Sequence, residues 1–172
     1  MGEKGKEAVW KEISCLEGKL ILTVPKNWER IVGKKVDGLF PYANQPQMVM
    51  GTLEEEKLFT LNLLSKGLEE GQVNGAIREI QRVILRVYPE SCRQGIRRRR
   101  LKAGITGWLS FSTGGEEREK LHYLFIISFQ GEMLLGSYHF PAKEEAEETT
   151  VFWKILQKMR SGEEDTAEAK KQ

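Results

Sequence analysis

Residues 121–141 read LHYLFIISFQGEMLLGSYHFP, a stretch that predicts two neighbouring β-strands joined by a turn at residues 130–132. Side chains alternate between the two faces of a strand, so Leu124 and Ile126 share one face while Phe125 and Ile127 share the other. Both faces are largely apolar. A strand of this kind is covered on both sides, which predicts an interior strand of a sheet.

Outward from this hairpin, apolar alternation predicts further strands. They are expected at residues 8–16, 19–24, 95–101 and 104–112, together with a hairpin over residues 47–64. The run Glu54–Glu56 is the expected tip of that hairpin, although residues 53–64 would also suit a helix. Pro25 ends the second strand, and residues 26–37 leave room for a short helical turn.

Two helices are predicted, over residues 72–88 and 143–160. In the first, apolar residues recur at helical spacing and Pro89 follows the last turn. In the second, glutamates fill the first turn and basic residues the last, as the helix dipole favours. The apolar stripes are Val73, Ile77, Ile80, Ile84 and Val87 in the first helix, and Phe152, Trp153, Ile155, Leu156 and Met159 in the second.

This order of elements predicts an α+β fold. The expected architecture is an α/β/α sandwich with a mainly antiparallel sheet and a helix on each face. Residues 1–161 are expected to form a single globular domain, because no linker rich in Pro, Gly or Ser divides them. Residues 162–172 contain no large apolar side chain and are expected to be a disordered, charged tail.

The composition excludes several classes of protein. Hydrophobic residues make up 40% and charged residues 30% of the 172 residues, which is typical of a globular protein. No apolar run approaches the roughly 20 residues of a membrane span, and the charged residues 1–7 do not read as a secretory signal. A cytoplasmic location is therefore expected. Cys15 and Cys92 lack metal-site spacing and are expected to be reduced thiols.

Residues suited to catalysis are scarce. The sequence contains two Asp, Asp37 and Asp165, and two His, His122 and His139. Metal hydrolysis, phosphoryl transfer and histidine-based nucleophilic triads draw on clusters of these residues. Antiparallel pairing could bring the two histidines together as a metal site, but a coincidence on the sheet surface is the preferred interpretation. No catalytic residue, cofactor or metal ligand is assigned.

The main polar feature is the run Arg97, Arg98, Arg99 and Arg100. It lies in a basic segment, residues 78–102 with a net charge of +7, while residues 116–148 carry a net charge of −5. On a strand, these arginines point alternately to both faces, which favours an edge strand where positive charge blocks sheet aggregation. The second interpretation is a binding site for an anionic protein partner. Nucleic acid is disfavoured, because no aromatic residues interleave the arginines and the net charge of the chain is only +2.

The sequence also resembles the PsbP-like superfamily, which includes bacterial DcrB-like and Ran-release-factor-like proteins. The resemblance covers about residues 8–161. It rests on the strand Leu20–Val24 running into Pro25 and Trp28, on Phe40–Pro41 before a long hairpin, and on the order of elements. It implies an α/β/α sandwich and a non-enzymatic adaptor or chaperone-like role, as in bacterial relatives that hold apolar segments of secreted effectors. No motif transfers a binding residue.

Two functional hypotheses follow. The first is a cytosolic binding module that engages another protein, through an acidic or apolar segment of that partner, at an exposed sheet or hairpin surface. The alternative is a small-ligand carrier or minor enzyme with an aromatic-lined pocket near Trp28, Trp108 and His139. Nucleic-acid binding through Arg97–Arg100 is a third, lesser hypothesis and predicts a steep loss of affinity with salt.

Overall fold

A computed structural model describes residues 9–41 and 45–162 of the chain, with side chains except at residues 92–94. Two sheets carry most of the structure. The strands are β1 (Trp10–Cys15), β2 (Leu20–Pro25), β3 (Glu29–Arg30), β4 (Met48–Thr52), β5 (Lys57–Gly67), β6 (Cys92–Leu101), β7 (Gly104–Thr113), β8 (Lys120–Phe129), β9 (Glu132–Pro141) and β10 (Arg160–Ser161).

Within the described residues, three α-helices connect these strands. They are α1 (Lys34–Leu39), α2 (Val73–Val87) and α3 (Glu145–Lys158). One-turn 3-10 segments, Glu70–Gln72 and Ala142–Glu144, lead into α2 and α3. The hairpin over residues 47–64 is confirmed, with its tip at residues 53–56, so the helical alternative for residues 53–64 is wrong. Among the described helices, none combines the length and the hydropathy that crossing a membrane requires.

The larger sheet has seven strands in the order β3-β4-β5-β9-β8-β7-β6, and its neighbours pair antiparallel. Strands β8 and β9 are interior, as residues 121–141 predict. They pair in a continuous register that sets Phe125 opposite Gly136 and Ile127 opposite Leu134. A side chain on Gly136 would overlap the fully buried Phe125 ring, so glycine at this position lets that ring lie flat on the neighbouring strand.

Each face of this sheet is covered by a helix, which confirms the predicted sandwich. Phe125, Ile127 and Phe129 pack in the main core with Phe152 of α3, whereas Ile126 packs on the opposite face with α2. Helix α1 covers β4 and β5 on the α2 side of the sheet, through the small cluster Ile31, Val36, Val49 and Leu58.

A second sheet, β1-β2-β10, was not expected as a separate unit. Its strand β2 contributes Leu20, Leu22 and Val24 to the same core as α3. Strand β10 has two residues, and the Gly162 amide donates to the Lys19 carbonyl at 2.9 Å just after it. The predicted tail beyond Gly162 lies outside the described residues.

A buried ion pair fixes the start of α3 on the sheet. The Lys57 Nζ atom lies 3.2 Å from a Glu148 carboxylate oxygen, and the two side chains are 12% and 6% exposed. The Tyr138 hydroxyl donates to the same carboxylate at 3.2 Å. Burial opposes the charge on Lys57, but hydrogen bonds and charges from Glu55, Glu148 and Glu144 outweigh it and raise the pKa of Lys57.

Helix α2 differs from its prediction at its last turn. Val73, Ile77 and Ile84 are buried as expected, but Val87 is 60% exposed. Instead, the following residue, Tyr88, reaches the sheet, where its ring stacks on Phe111 with a centroid separation of 5.9 Å. The apolar contact at this end of the helix is therefore made by an aromatic ring just beyond the helical stripe.

Candidate functional site

Strand β6 is an edge strand, as the arginine run predicts. Within the described residues it pairs with β7 and with no strand on its other side. Arg97, Arg98, Arg99 and Arg100 are all exposed. We refer to these four residues as the arginine edge.

The arginine edge is divided between the two faces of the sheet. Arg98 is opposite Gly107, where α2 packs, and Arg100 lies on the same face. The Arg100 guanidinium donates to both carboxylate oxygens of Glu70, at 3.0 and 2.9 Å. This hydrogen-bonded pair lowers the pKa of Glu70 and raises the pKa of Arg100. Arg100 is therefore partly occupied by a neighbour of its own chain.

On the α3 face, Arg97 and Arg99 border a groove lined by aromatic rings. Trp108 of β7 pairs in register with Arg97, and its ring lies 5.3 Å from the Trp153 ring of α3. The Arg99 guanidinium carbon lies 5.5 Å from the Trp153 ring centre, a distance within the range of a cation–π contact. The aromatic groove, as we name it, has a volume of about 500 Å³ and is lined by Arg97, Arg98, Arg99, Trp108, Tyr123, Thr149, Phe152 and Trp153.

The floor of the aromatic groove is closely packed. The Tyr123 and Phe152 rings stack with a centroid separation of 4.3 Å, and both residues are buried in the main core. The Tyr123 hydroxyl and the Thr149 hydroxyl are hydrogen-bonded at 3.0 Å. The groove therefore combines a fixed apolar base with two hydroxyl groups already paired with each other.

The two arginines beside the groove are available for an external anion. Among the described residues, neither Arg97 nor Arg99 has an acidic side chain within ion-pair distance. A planar guanidinium binds a carboxylate or a phosphate through two parallel hydrogen bonds. Beside two tryptophan rings, such a pair suits a ligand that joins a negative charge to an apolar or aromatic group.

The two histidines come together, as antiparallel pairing predicts. His122 lies opposite His139, with ring centroids 5.2 Å apart, and it also stacks on Phe111 at 4.7 Å. Its Nε2 atom is hydrogen-bonded to the Thr113 hydroxyl at 2.7 Å. Burial is the main cause that lowers the pKa of both rings to about 4. The positive charges of His139 and Lys120 contribute to this lowering at His122, and the positive charge of Lys120 contributes at His139.

At neutral pH these histidines are uncharged rings in an aromatic row. The row runs from Tyr88 through Phe111 and His122 to His139. Within the described part of the chain, no cluster of three or more His, Cys, Asp or Glu side chains is placed to hold a metal ion. The histidine pair packs the α2 face of the sheet in this structure.

The three residues proposed for an aromatic-lined pocket do not meet. Trp28 is 2% exposed and packs in the core against Phe59 and Tyr138. Trp108 lies on the α3 face of the sheet, whereas His139 lies on the α2 face with His122. A groove does exist beside Trp108, but its second tryptophan is Trp153.

Helical spacing predicts Trp153 in the buried stripe of the last helix, but its side chain is half-buried at the rim of the groove. A signal for this position is present in the sequence. Successive residues of a helix are about 100° apart, so a large residue next to Phe152 lies at the margin of the apolar stripe. Its partners Arg99 and Trp108 are distant in the sequence and give no such signal.

Comparison with solved structures places this architecture among known folds. The chain is similar to the cyanobacterial PsbP protein CyanoP from Synechocystis sp. PCC 6803, with 12% identity, a TM-score of 0.61 and coverage of 94% of this chain and 96% of that one. It is also similar to LpqN of Mycobacterium tuberculosis, described as involved in cell envelope biogenesis, with 11% identity, a TM-score of 0.56 and coverage of 89% and 90%.

A third similar structure is the Saccharomyces cerevisiae Ran-binding protein Mog1p, with 10% identity, a TM-score of 0.52 and coverage of 90% of this chain and 96% of that one. No protein-family model and no curated protein sequence matches the chain. At these identities the likeness concerns the fold. The chain shares the fold of these proteins over about nine tenths of its length, which confirms the fold that the resemblance implies.

Proposed function

We propose that this chain is a non-enzymatic protein-binding module, of adaptor or chaperone-like type, which acts in the cytoplasm and binds a segment of another protein at the arginine edge and the aromatic groove. The observation that carries the proposal is the pair Arg97 and Arg99, which are exposed and have no acidic partner among the described residues, beside the half-buried rings of Trp108 and Trp153. Arginine and tryptophan are the residues most often enriched where binding energy concentrates in protein interfaces.

The chemistry of this surface favours a partner segment that is both acidic and apolar. Carboxylates of the partner would bind the two guanidiniums, and an apolar side chain would contact the tryptophan rings. The net charge of +7 over residues 78–102 would also attract an acidic segment before contact. The fold supports the proposal in a general way, because one protein of similar structure is itself described as binding another protein, Ran.

A charge-reversal experiment tests the assignment of this surface. The full chain and the variant R97E/R99E are expressed with a tag in the source cells, crosslinked through lysines and captured. Lys102 and Lys154 adjoin the surface in the sequence and report on its neighbours. We expect a partner crosslinked to these lysines in the unmodified chain and strongly depleted in the variant.

The matched control is R78E/R86E, which makes the same change of charge on two exposed arginines of α2. This control is expected to retain the partner. Capture of the same proteins by R97E/R99E and by the control, or the absence of any protein crosslinked to Lys102 or Lys154, would refute the proposed surface. Thermal unfolding of each variant checks that the fold is intact, and cell fractionation tests the cytoplasmic location.

The alternative function, a small-ligand carrier, is favoured by one observation. The volume of about 500 Å³ falls within the range of small-molecule sites, and two rings and two cations converge on it. This alternative predicts that an aromatic carboxylate quenches tryptophan fluorescence and raises the melting temperature, and that Trp153→Leu removes both effects. A library of such acids that leaves both signals unchanged would eliminate it.

A further inference from the structure

The free side of β6 is a site where the sheet can be extended. The strand is ten residues long, whereas β3 at the opposite end of the sheet has two. Its pairing with β7 is irregular between Cys92 and Arg97 but continuous from Arg97 to Leu101. The regular part of the strand therefore coincides with the arginine edge.

In this regular part, some backbone N–H and C=O groups have no partner strand among the described residues. In an antiparallel sheet, successive residues of a strand direct their N–H and C=O groups alternately to the two sides. Because β6 has a neighbour on one side within the described residues, alternate backbone groups of residues 97–101 face outward. All four arginine side chains are exposed, and no described strand pairs with this side of β6.

Charge decides which strand this edge can accept. A second copy of the edge would set arginine against arginine, and like charges on adjacent strands are destabilising. An acidic strand would instead place carboxylates beside guanidiniums. On the α3 face, neither Arg97 nor Arg99 forms an ion pair with a described residue, although Arg99 lies over the Trp153 ring. On the α2 face, Arg100 is bound to Glu70, so Arg98 is the arginine that remains for this role.

The spacing also sets a pattern for the incoming segment. Arg97 and Arg99 are two residues apart on one face, and alternate residues of an added strand share a face at the same spacing. The segment should therefore carry acidic residues separated by one residue. Residues beside the Trp108 and Trp153 rings can be apolar, and the residues between the acidic ones face Arg98.

We propose that β6 binds an extended acidic segment of the partner as an eighth, added strand of the sheet, with carboxylates at alternate positions over Arg97 and Arg99. This inference rests on the proposed function and specifies how the partner is bound. The arginine edge then has two roles, since it rejects its own copy and selects acidic strands.

The probe for this inference is the fluorescein-labelled peptide Glu-Thr-Glu-Thr-Val-Thr-Val, with blocked ends, and seven derivatives that are each N-methylated at one residue. Its acidic and apolar residues share one face, and its threonines share the other. An N-methyl group removes one backbone donor and keeps the side-chain charge. We expect the parent peptide to bind the full chain by fluorescence anisotropy, and R97A/R99A to weaken it about tenfold or more. R78A/R86A, the matched control, should leave the affinity within about twofold.

The derivatives distinguish an added strand from side-chain contact alone. We expect methylation at alternate residues to abolish binding and methylation at the residues between them to be tolerated, because only every other amide of an added strand faces β6. Amide hydrogen exchange at residues 97–101 should slow with the same alternation. This change is made in the peptide, so it does not depend on a folded variant.

Each other outcome overturns the inference. Binding that depends on Arg97 and Arg99 but shows no alternation would refute strand addition while leaving the proposed function intact. Failure of the parent peptide to bind would also refute it, and the crosslinking experiment would still judge the proposed function. If the unmodified chain sediments as a dimer and R97A/R99A sediments as a monomer, the edge binds a second copy of the chain instead. If oligothymidylate binds more tightly than the peptide, the edge binds nucleic acid instead.

Discussion

Acidification should destabilise this protein through His122 and His139, which are its two histidines. Both have a pKa of about 4 in the folded protein, against the value of 6.5 expected for an unfolded chain. Between these values the unfolded chain takes up protons that the folded protein does not. The stability that depends on the two uncharged histidines is therefore fully present above about pH 6.5, and it is lost progressively as the pH falls toward 4.

The size of the effect follows from the same pKa values. At pH 5, each histidine would cost about 2 kcal/mol relative to neutral pH, and the pair would cost roughly 2–4 kcal/mol because the two protonations are coupled. A domain of this size has a free energy of unfolding of about 5–15 kcal/mol, so the loss is a substantial fraction of the total. It is large enough to move a urea midpoint clearly.

The assay is urea unfolding at pH 7.5 and pH 5.0, followed by tryptophan fluorescence, on the unmodified chain and on His122→Gln/His139→Gln. Carboxylates contribute to acid sensitivity equally in both proteins, so the difference between their two pH dependences isolates the histidines. We expect the double variant to lose about 2–4 kcal/mol less stability over this interval. The same pH dependence in both proteins would refute the burial argument, and a larger loss in the variant would reverse its sign.

Two further predictions concern the core of the sandwich. Lys57→Met leaves the Glu148 carboxylate buried without its cation, so the free energy of unfolding in urea should fall by about 3–5 kcal/mol. The double variant K57M/E148L should recover much of this loss. A loss below about 1 kcal/mol in the single variant would show that the pair is not effectively buried. Gly136→Ala adds a methyl group where the Phe125 ring lies, so it should lower stability by about 1–3 kcal/mol, and a change within about 0.5 kcal/mol would show that the ring moves aside easily.

The strands and helices were largely predictable because their signals are local. Residues 121–141 are apolar on both faces, and this identifies β8 and β9 as interior strands without knowledge of their neighbours. The arginine edge could be placed for the same reason, since charge on both faces of one strand is tolerated where the strand is open to solvent.

The aromatic groove could not be predicted, because it depends on contacts between distant parts of the chain. Trp108 lies on β7 and Trp153 on α3, and their proximity is set by the rotation and position of α3 on the sheet. No aromatic residue lies between the arginines in the sequence, yet the fold places the Trp153 ring beside the Arg99 guanidinium.

The second sheet was missed for a different reason. Strand β10 has two residues, too few for periodicity to register, and it is defined by its pairing with β2. The aromatic-lined pocket was misplaced because Trp28 carries no sign in the sequence of whether it is in the core or at its margin. Burial of a tryptophan is a property of the assembled layers.

The order in which the strands pair has a consequence for the synthesis of this chain. Strand β5 pairs with β9, so Leu58 cannot find its partner before His139 has been synthesised. In the same way, β2 pairs with β10, so Leu20 has its partner only after Ser161 has been synthesised. Contacts between distant residues slow folding, into the range of milliseconds to seconds for sheet-rich domains. On the ribosome, the core-facing apolar side of β5 should stay uncovered until β9 and α3 have emerged, so this chain should be prone to aggregation during its translation.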